Sequence, residues 1–179
     1  MVPTAYKMFL LEEYPSLLYI VNNGATTTWE SLFGYQQEEN GFRLDGSLNH
    51  YAYGTPAGWL YTDVLGIRCD EEQPGYKHII LEPQAGGELT FAKGSYTGAY
   101  GKISVEWRVM EQRLEYCFEI PANTTASLYL PQSACPYEIN GKQADKIKGI
   151  VFTENDGEKV KYELQSGTYR FTNKKQGRK

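Results

Sequence analysis

The sequence has few cysteines and histidines, and it lacks the motifs that hold metals or phosphates. Its 179 residues include three cysteines and two histidines. Cys69, Cys117 and Cys135 are odd in number, irregularly spaced and without a Cys-x-x-Cys pair, which argues against a disulfide framework and a structural zinc site. No Gly-rich phosphate loop and no His-Glu-x-x-His motif occurs. We therefore expect free thiols, no metal and no cofactor.

Long apolar runs and charge of one sign are also missing. No stretch approaches the roughly 18 apolar residues that a membrane-spanning helix needs, and the N-terminal residues lack the basic region of a secretory signal. The formal net charge is -4, and lysines and arginines are scattered apart from residues 174–179. We expect no membrane partner, no nucleic-acid partner and a frayed basic tail at residues 174–179.

The first third of the sequence has helical periodicity interrupted by turn residues. Residues 4–23 predict two short helices or one kinked helix, because Pro15 cannot donate an intrahelical hydrogen bond. Residues 25–46 show no sustained period. A connection of this length favours a functional loop, and a flexible surface loop is the alternative.

A second helical stretch follows this connection. Ser47 is predicted to cap it, because a serine hydroxyl accepts well from a free N–H of the first helical turn. The helix is expected to run through His50 to Leu65, to break near Thr55 and to end at Gly66.

Beyond residue 75 the apolar period changes to two, which is typical of strands that are buried on one face. Residues 69–76 are charged and then turn-forming, and they make the best candidate boundary. Many short strands at near-even spacing predict an antiparallel β-sandwich. The fold class is therefore α+β by content, with helices in residues 1–70 and a sandwich in residues 75–173. The predicted strands are residues 79–81, 89–92, 103–109, 114–120, 126–130, 160–164 and 168–171.

Two stretches in the helical part combine the side chains that sugar chemistry uses. Trp29-Glu30 places a carboxylate beside an aromatic ring, and His50 follows in the second stretch, Ser47–Tyr51. An acidic group can handle a proton or activate water, and an aromatic ring can stack on a sugar. These patterns have structural alternatives: Glu30 as a cap or ion-pair partner, and His50 as a structural hydrogen-bonding group.

A series of motifs lies in order along nearly the whole chain: Tyr14-Pro15-Ser16, Asn23–Thr27, Trp29-Glu30, Ser47–Tyr51, Trp59-Leu60-Tyr61, Pro74–His78, Tyr100–Ser104 and Ile120–Thr125. With these motifs the chain resembles the C-terminal part of the bacterial α-L-rhamnosidases. Those enzymes are inverting glycoside hydrolases with an (α/α)6-barrel catalytic domain followed by a β-sandwich. The resemblance implies that residues 1–70 are the last helices of such a barrel, incomplete here, and that the sandwich is the C-terminal domain.

The resemblance also implies roles for the candidate residues. Glu30 corresponds to the general base, which draws a proton from the water that attacks the anomeric carbon. His50 corresponds to a residue that hydrogen-bonds a rhamnose hydroxyl. Trp29 either lines the sugar subsite or packs under the loop. The implied ligand is a rhamnose-containing glycan or glycoside.

An inverting glycosidase needs a second carboxyl group as general acid. The resemblance implies that this acid lies on earlier barrel helices, so the chain alone is expected to be inactive. Its uncovered helices predict a partner, either the missing N-terminal part of the domain or a second copy. The alternative functions are a non-catalytic carbohydrate-binding module and a structural β-sandwich. The compartment stays open: no signal is present in this chain, and a longer parent protein is compatible with the periplasm or the exterior.

Overall fold

A computed structural model describes residues 2–33, 35–38, 41–44, 46–111, 113–132, 137–143, 147, 150–155 and 157–174. Cys135 and residues 175–179 of the predicted tail lie outside the described residues. The chain forms two compact units. The first contains Met1–Trp59 and Gly86–Glu88, and the second contains Leu60–Ala85 and Leu89–Lys179. No helix among the described residues is long and apolar enough to cross a membrane.

The first unit consists of short helices and one hairpin. As predicted, Pro15 separates two helices. Ser16 caps the second of them, since its Oγ accepts a hydrogen bond of 2.9 Å from the N–H of Tyr19. The elements are helices α1 (Val2–Phe9) and α2 (Leu17–Asn22), strands β1 (Tyr35–Glu38) and β2 (Gly41–Leu44), a 3-10 helix (Tyr51–Gly54) and helix α3 (Thr55–Trp59).

Two expectations for this unit were wrong. The connection 25–46 was expected to lack regular structure, but β1 and β2 pair as an antiparallel hairpin with Tyr35 opposite Leu44. Main-chain pairing of this kind needs no apolar pattern. Ser47 was expected to cap the next helix, but that helix begins at Tyr51, directly after His50. The Ser47 hydroxyl instead accepts from the N–H of Asn49 at 3.1 Å.

Aromatic side chains form the core of the first unit. The ring of Tyr6 is 1% exposed and meets Trp59 edge-on, with ring centroids 5.1 Å apart. Gly87 contacts this ring so closely that an added Cβ would lie 2.6 Å from it. The short segment 86–88 therefore belongs to this unit by packing, although it follows the first strands of the second.

The second unit begins with a π-helical turn, Leu60–Val64, and continues as strands. Gly66 ends the helical run with a φ of 67°, and Ile67 packs back at 3% exposure, as predicted. The strands are β3 (Ile67–Cys69), β4 (His78–Leu81), β5 (Phe91–Gly98), β6 (Gly101–Met110), β7 (Arg113–Pro131), β8 (Glu138–Ile139), β9 (Lys142–Gln143), β10 (Ile150–Asn155) and β11 (Lys159–Lys174).

Strands β7 and β11 are longer than predicted, because each joins two predicted strands into one. They pair along their whole length, except where residues 121–124 bulge opposite Ser166. Pro121 has no N–H to donate to the ladder. The bulge is closed by the Thr124 hydroxyl, which donates to the Pro121 carbonyl at 2.7 Å, and Asn123 has a φ of 60°.

Each long strand contributes to two layers. The first half of β7 and the second half of β11 join β5, β6, β8 and β9, whereas their other halves join β3, β4 and β10. Tyr162 and Phe171 lie on the two halves of β11, and their ring centroids are 5.2 Å apart. Nine residues of extended strand would separate them by about 30 Å. The strand therefore folds back at the bulge, and the two layers face each other.

The layers enclose an apolar core, as expected for a sandwich on an α+β chain. Pairing among the described strands is antiparallel, apart from β4 with β7, which is parallel over His78–Leu81. The core side chains, each at most 1% exposed, are Ile79, Leu81, Ile103, Val105, Trp107, Tyr116, Phe118, Ala126, Leu128, Leu130, Ile139, Val160, Leu164 and Phe171.

Candidate active site

The two stretches that carry the candidate residues lie side by side in the first unit. The N–H of Glu30 donates to the carbonyl of Ser47 at 2.8 Å, and the N–H of His50 donates to the carbonyl of Thr28 at 2.7 Å. The hydroxyl of Thr27 adds a bond to the carbonyl of Leu48. Main-chain pairing thus brings the glutamate and the histidine, twenty residues apart in sequence, onto adjoining segments.

Glu30 presents an exposed carboxylate that the main chain holds. Its Oε2 accepts a hydrogen bond of 2.8 Å from the N–H of Ser47. Among the residues whose side chains the structure describes, which do not include Arg43, no lysine, arginine or histidine forms an ion pair with it. The alternative of Glu30 as an ion-pair partner therefore finds no cation among those residues. An exposed carboxylate without a cationic partner is chemically able to accept a proton.

Gly46 is a site residue that the sequence analysis did not single out. Its φ is 81°, which side chains of L-residues rarely adopt. A Cβ added there would lie 2.9 Å from Glu30 Oε2 and 3.2 Å from its Cδ. Its one sequence signal is its position directly before Ser47. Several glycines lie in this connection, and nothing in the sequence distinguishes Gly46 from the others.

His50 is half-buried and directly precedes the 3-10 helix. Its ring stacks parallel to that of Tyr51, with centroids 5.7 Å apart and an interplanar angle of 2°. The Tyr51 side chain is 92% exposed. The imidazole thus lies at the start of a helix, as predicted, next to an open aromatic surface.

Trp29 is only 7% exposed. This burial favours the alternative in which the indole packs under the loop. A stacking contact between Trp29 and a sugar stays a prediction.

An apolar groove lies elsewhere in the first unit. It encloses about 550 Å³ between α1, the Leu11–Leu17 connection and α3. Met8, on its wall, is 69% exposed. This surface has the character of a helix face that packs against other protein. The principal apolar lining residues are Met8, Phe9, Leu11, Pro15, Leu17 and Trp59.

Polar side chains cluster in the second unit as well, around His78. The ring Nδ1 lies 2.7 Å from the hydroxyl of Thr125, and Nε2 lies 3.0 Å from the hydroxyl of Ser127. Ser127 in turn donates to Glu163 at 2.7 Å and is 3% exposed. Both ring nitrogens are therefore occupied, and the network ties β4 to β7 and β11. Groups of three or more metal-ligating side chains are absent from the described ranges.

Comparison with known proteins agrees with this arrangement of a helical part followed by a sandwich. Residues 2–64 match the family model of the bacterial α-L-rhamnosidase six-hairpin glycosidase domain, and residues 66–145 match that of the bacterial α-L-rhamnosidase C-terminal domain. The two models together place the chain among the glycoside hydrolases. It belongs to the bacterial α-L-rhamnosidase family, of which it represents a C-terminal portion.

Individual relatives show how much of such a protein the chain spans. It is 41% identical over 128 residues to an α-L-rhamnosidase of Alteromonas sp. (strain LOR), covering 70% of this chain and 14% of that protein. It is 34% identical over 169 residues to an α-L-rhamnosidase of Formosa agariphila, covering 93% of this chain and 18% of the relative. The chain thus spans less than a fifth of either relative.

Solved structures show the same relationship. The Streptomyces avermitilis α-L-rhamnosidase complexed with L-rhamnose is similar with a TM-score of 0.79 at 28% identity, over 95% of this chain and 16% of that one. The α-L-rhamnosidase from Dictyoglumus thermophilum gives a TM-score of 0.78 at 25% identity, over 97% of this chain and 19% of that one. The predicted family and the predicted order of helices and sandwich are therefore confirmed.

Proposed function

We propose that the chain is the C-terminal part of a glycoside hydrolase that cleaves terminal α-L-rhamnosides with inversion, and that Glu30 is its general base. The observation that supports this role is the Glu30 carboxylate, which is exposed and accepts a hydrogen bond from a main-chain N–H. The family to which the chain belongs and the rhamnose complex of one relative support the substrate class.

In the proposed reaction, the ionised Glu30 takes a proton from a water molecule. The water oxygen attacks the anomeric carbon from the face opposite the leaving group, and the bond from that carbon to the glycosidic oxygen breaks. A second carboxyl group gives its proton to the departing oxygen, so charge and protons balance. In inverting enzymes the two carboxyl groups are about 6.5 to 9.5 Å apart, which leaves room for the water.

We place the general acid outside this chain, on helices of the six-hairpin domain that residues 2–64 do not include. The chain alone is then inactive. His50 would hydrogen-bond a sugar hydroxyl, since imidazole both donates and accepts. Trp29 would shape the subsite from beneath.

The same helices are the proposed occupant of the apolar groove. A six-hairpin domain packs its helices side by side, and the groove exposes Met8 and Leu11 at 69% and 40%. The alternative is that a second copy of the chain packs its own groove face against this one. In domain terms, residues 1–70 would be the end of the catalytic domain, residues 75–173 the sandwich and residues 174–179 a tail.

A chimera tests the general-base role. The full chain would replace the matched 169-residue segment of the Formosa agariphila relative, and turnover of an aryl α-L-rhamnoside would be measured. We expect the isolated chain to show no turnover and the chimera to be active. Glu30→Gln should lower kcat of the chimera about 10²- to 10⁴-fold, the usual contribution of a general base.

Glu13→Gln is the matched control, because Glu13 is an exposed carboxylate of the same unit that lies outside the paired stretches. It should leave kcat unchanged. Full turnover by Glu30→Gln would refute the role of Glu30. If the isolated chain shows turnover and Glu30→Gln abolishes it, the proposal that the general acid lies outside this chain would be wrong. Binding of rhamnosides by the isolated chain that Glu30→Gln does not alter would favour the carbohydrate-binding alternative.

A further inference from the structure

Two hydrogen bonds join Glu30 and Ser47 in opposite directions. The N–H of Glu30 donates to the Ser47 carbonyl at 2.8 Å, and the N–H of Ser47 donates to Glu30 Oε2 at 2.8 Å. The first bond fixes the glutamate main chain and the second fixes its carboxylate. Together they hold the side chain in one orientation, although it is exposed.

The type of donor matters for a base. A lysine or arginine would orient the carboxylate too, but with a full positive charge that opposes uptake of a proton. A main-chain N–H makes a charge-assisted bond without adding net charge. It occupies Oε2 and, among the residues whose side chains the structure describes, leaves the second oxygen without a hydrogen-bond donor.

We propose that Gly46 and Ser47 are positioning residues for the general base: the Ser47 N–H anchors Oε2, so that Oε1 is the oxygen that accepts the proton from water. This inference rests on the proposed function of Glu30. It adds which carboxylate oxygen of Glu30 accepts the proton, which group holds the other oxygen, and why residue 46 is a glycine.

Gly46 provides the space for this arrangement. A Cβ at residue 46 would lie 2.9 Å from Oε2, 3.2 Å from Cδ and 3.3 Å from Cβ of Glu30. An alanine there would therefore push the carboxylate away from the Ser47 N–H. The Ser47 side chain has a separate task, since its hydroxyl accepts from the N–H of Asn49 at 3.1 Å. The anchor is therefore the main chain of residue 47, whichever side chain it carries.

The isolated full chain allows a direct test by NMR. An amide proton bonded to a carboxylate changes its chemical shift as the carboxylate ionises. We expect the amide proton of residue 47 to move downfield when the Glu30 carboxyl group loses its proton, and this response to vanish in Glu30→Gln. Ser47→Ala should keep the response, because the main-chain donor remains. A merely structural role for the loop would not produce a response that depends on the Glu30 charge.

Gly46→Ala should lose most of this response. Its matched control is Gly24→Ala, because Gly24 has a φ of 86° and an added Cβ there would have nothing within 4 Å. Both substitutions place a side chain at a similar positive φ, but only the first meets the carboxylate. If Gly46→Ala does not fold, Glu30→Ala combined with it should restore folding by removing the two closest atoms.

The outcomes separate this inference from the proposed function. The proposed anchor is refuted if the amide proton shift of residue 47 does not change with pH in the wild-type chain, or if Gly46→Ala leaves that change intact. This holds even if Glu30→Gln inactivates the chimera. A responsive amide together with a fully active Glu30→Gln chimera shows that the anchor exists but does not position a base, which overturns the inference through the proposed function. Loss of the response in Gly46→Ala and loss of turnover in Glu30→Gln support both.

Discussion

The indole N–H of Trp107 donates a hydrogen bond of 2.8 Å to the main-chain carbonyl of Val64. Trp107 is completely buried in the sandwich core, and Val64 is the last residue of the π-helical turn. The match to the six-hairpin domain ends at residue 64, yet the turn that starts at Leu60 packs with the sandwich unit. The last five residues of that match, 60–64, therefore belong to the second structural unit.

Replacing Trp107 by phenylalanine should destabilise the second unit. The buried Val64 carbonyl would lose its donor, which costs about 1 to 3 kcal/mol, and the smaller ring would leave a cavity that adds to this loss. Urea unfolding of the variant and the wild type measures the difference. Trp107→Leu should cost more, because it removes further volume. Equal stability of Trp107→Phe and wild type would contradict a contribution from this hydrogen bond.

Gly66→Ala should be among the most damaging single substitutions in the chain. A Cβ at Gly66 would lie 2.1 Å from the main-chain carbonyl carbon of Glu82, which cannot rotate away as a side chain does. Gly141 has a similar φ of 73° and nothing within 4 Å of an added Cβ. Gly141→Ala should therefore show only the backbone strain of about 1 to 3 kcal/mol.

We expect Gly66→Ala to lower the unfolding temperature well below that of Gly141→Ala, or to prevent soluble expression. Thermal unfolding followed by circular dichroism compares the two. If both alanine variants unfold at the same temperature, the close packing of Gly66 against Glu82 does not contribute to the loss of stability.

Glu82 joins two cations from separate strands. Its Oε1 lies 2.6 Å from Nζ of Lys159, its Oε2 lies 3.3 Å from Nη1 of Arg68, and its side chain is 16% exposed. Glu82→Gln would remove the negative charge that Lys159 and Arg68 share, although Asp63 still lies 3.1 Å from Arg68, and we expect a loss of about 1 to 3 kcal/mol. Glu119→Gln is the control, because that carboxylate is 50% exposed and lies 3.8 Å from Lys102. It should change stability by less than about 1 kcal/mol, and a similar loss in both variants would contradict the network's importance.

Glu106 should make the free energy of unfolding depend on pH. A hydrogen bond from Arg108, with a further contribution from Lys93, lowers the pKa of Glu106 below its usual value of 4.5. A carboxyl group with a lowered pKa stabilises the fold above the pKa of the unfolded chain, and this stabilisation is lost as pH falls through the folded-state pKa.

The measurement is the unfolding free energy of wild type and Glu106→Gln as a function of pH. At neutral pH the wild type should be more stable, by less than about 1 kcal/mol because both cations are largely exposed. The difference should shrink towards zero as pH falls below 4.5. If the difference in unfolding free energy between wild type and Glu106→Gln is as large at low pH as at neutral pH, it does not come from the charge of Glu106.

Local sequence signals predicted several features correctly. Pro15 between two apolar runs predicted two helices, since proline acts on its own turn of the chain. Alternation from Ile103 to Val109 predicted a strand that buries every second side chain, and Ile103, Val105 and Trp107 are in the core. These patterns depend on residues a few positions apart. The link between Glu30 and His50 came from resemblance to a family rather than from any local pattern.

Other features depend on contacts between distant residues. The strands predicted at 114–120 and 126–130 are one strand, because β11 pairs with both across the bulge at Pro121. Ser47 was expected to cap a helix, but pairing with Glu30 holds its main chain in another conformation. The hairpin at 35–38 and 41–44 depends on main-chain hydrogen bonds that leave no apolar pattern.

By itself the sequence determined that helices come first, that strands follow, and where most of them lie, because periodicity and turn residues act over a few positions. Only the tertiary structure decided that Trp29 is buried and that Gly46 has no room for a side chain beside the carboxylate of Glu30. The physical reason is that burial and close approach are set by whichever segment comes to lie opposite. That segment can be many residues away, and its identity is not written in the spacing of neighbouring side chains.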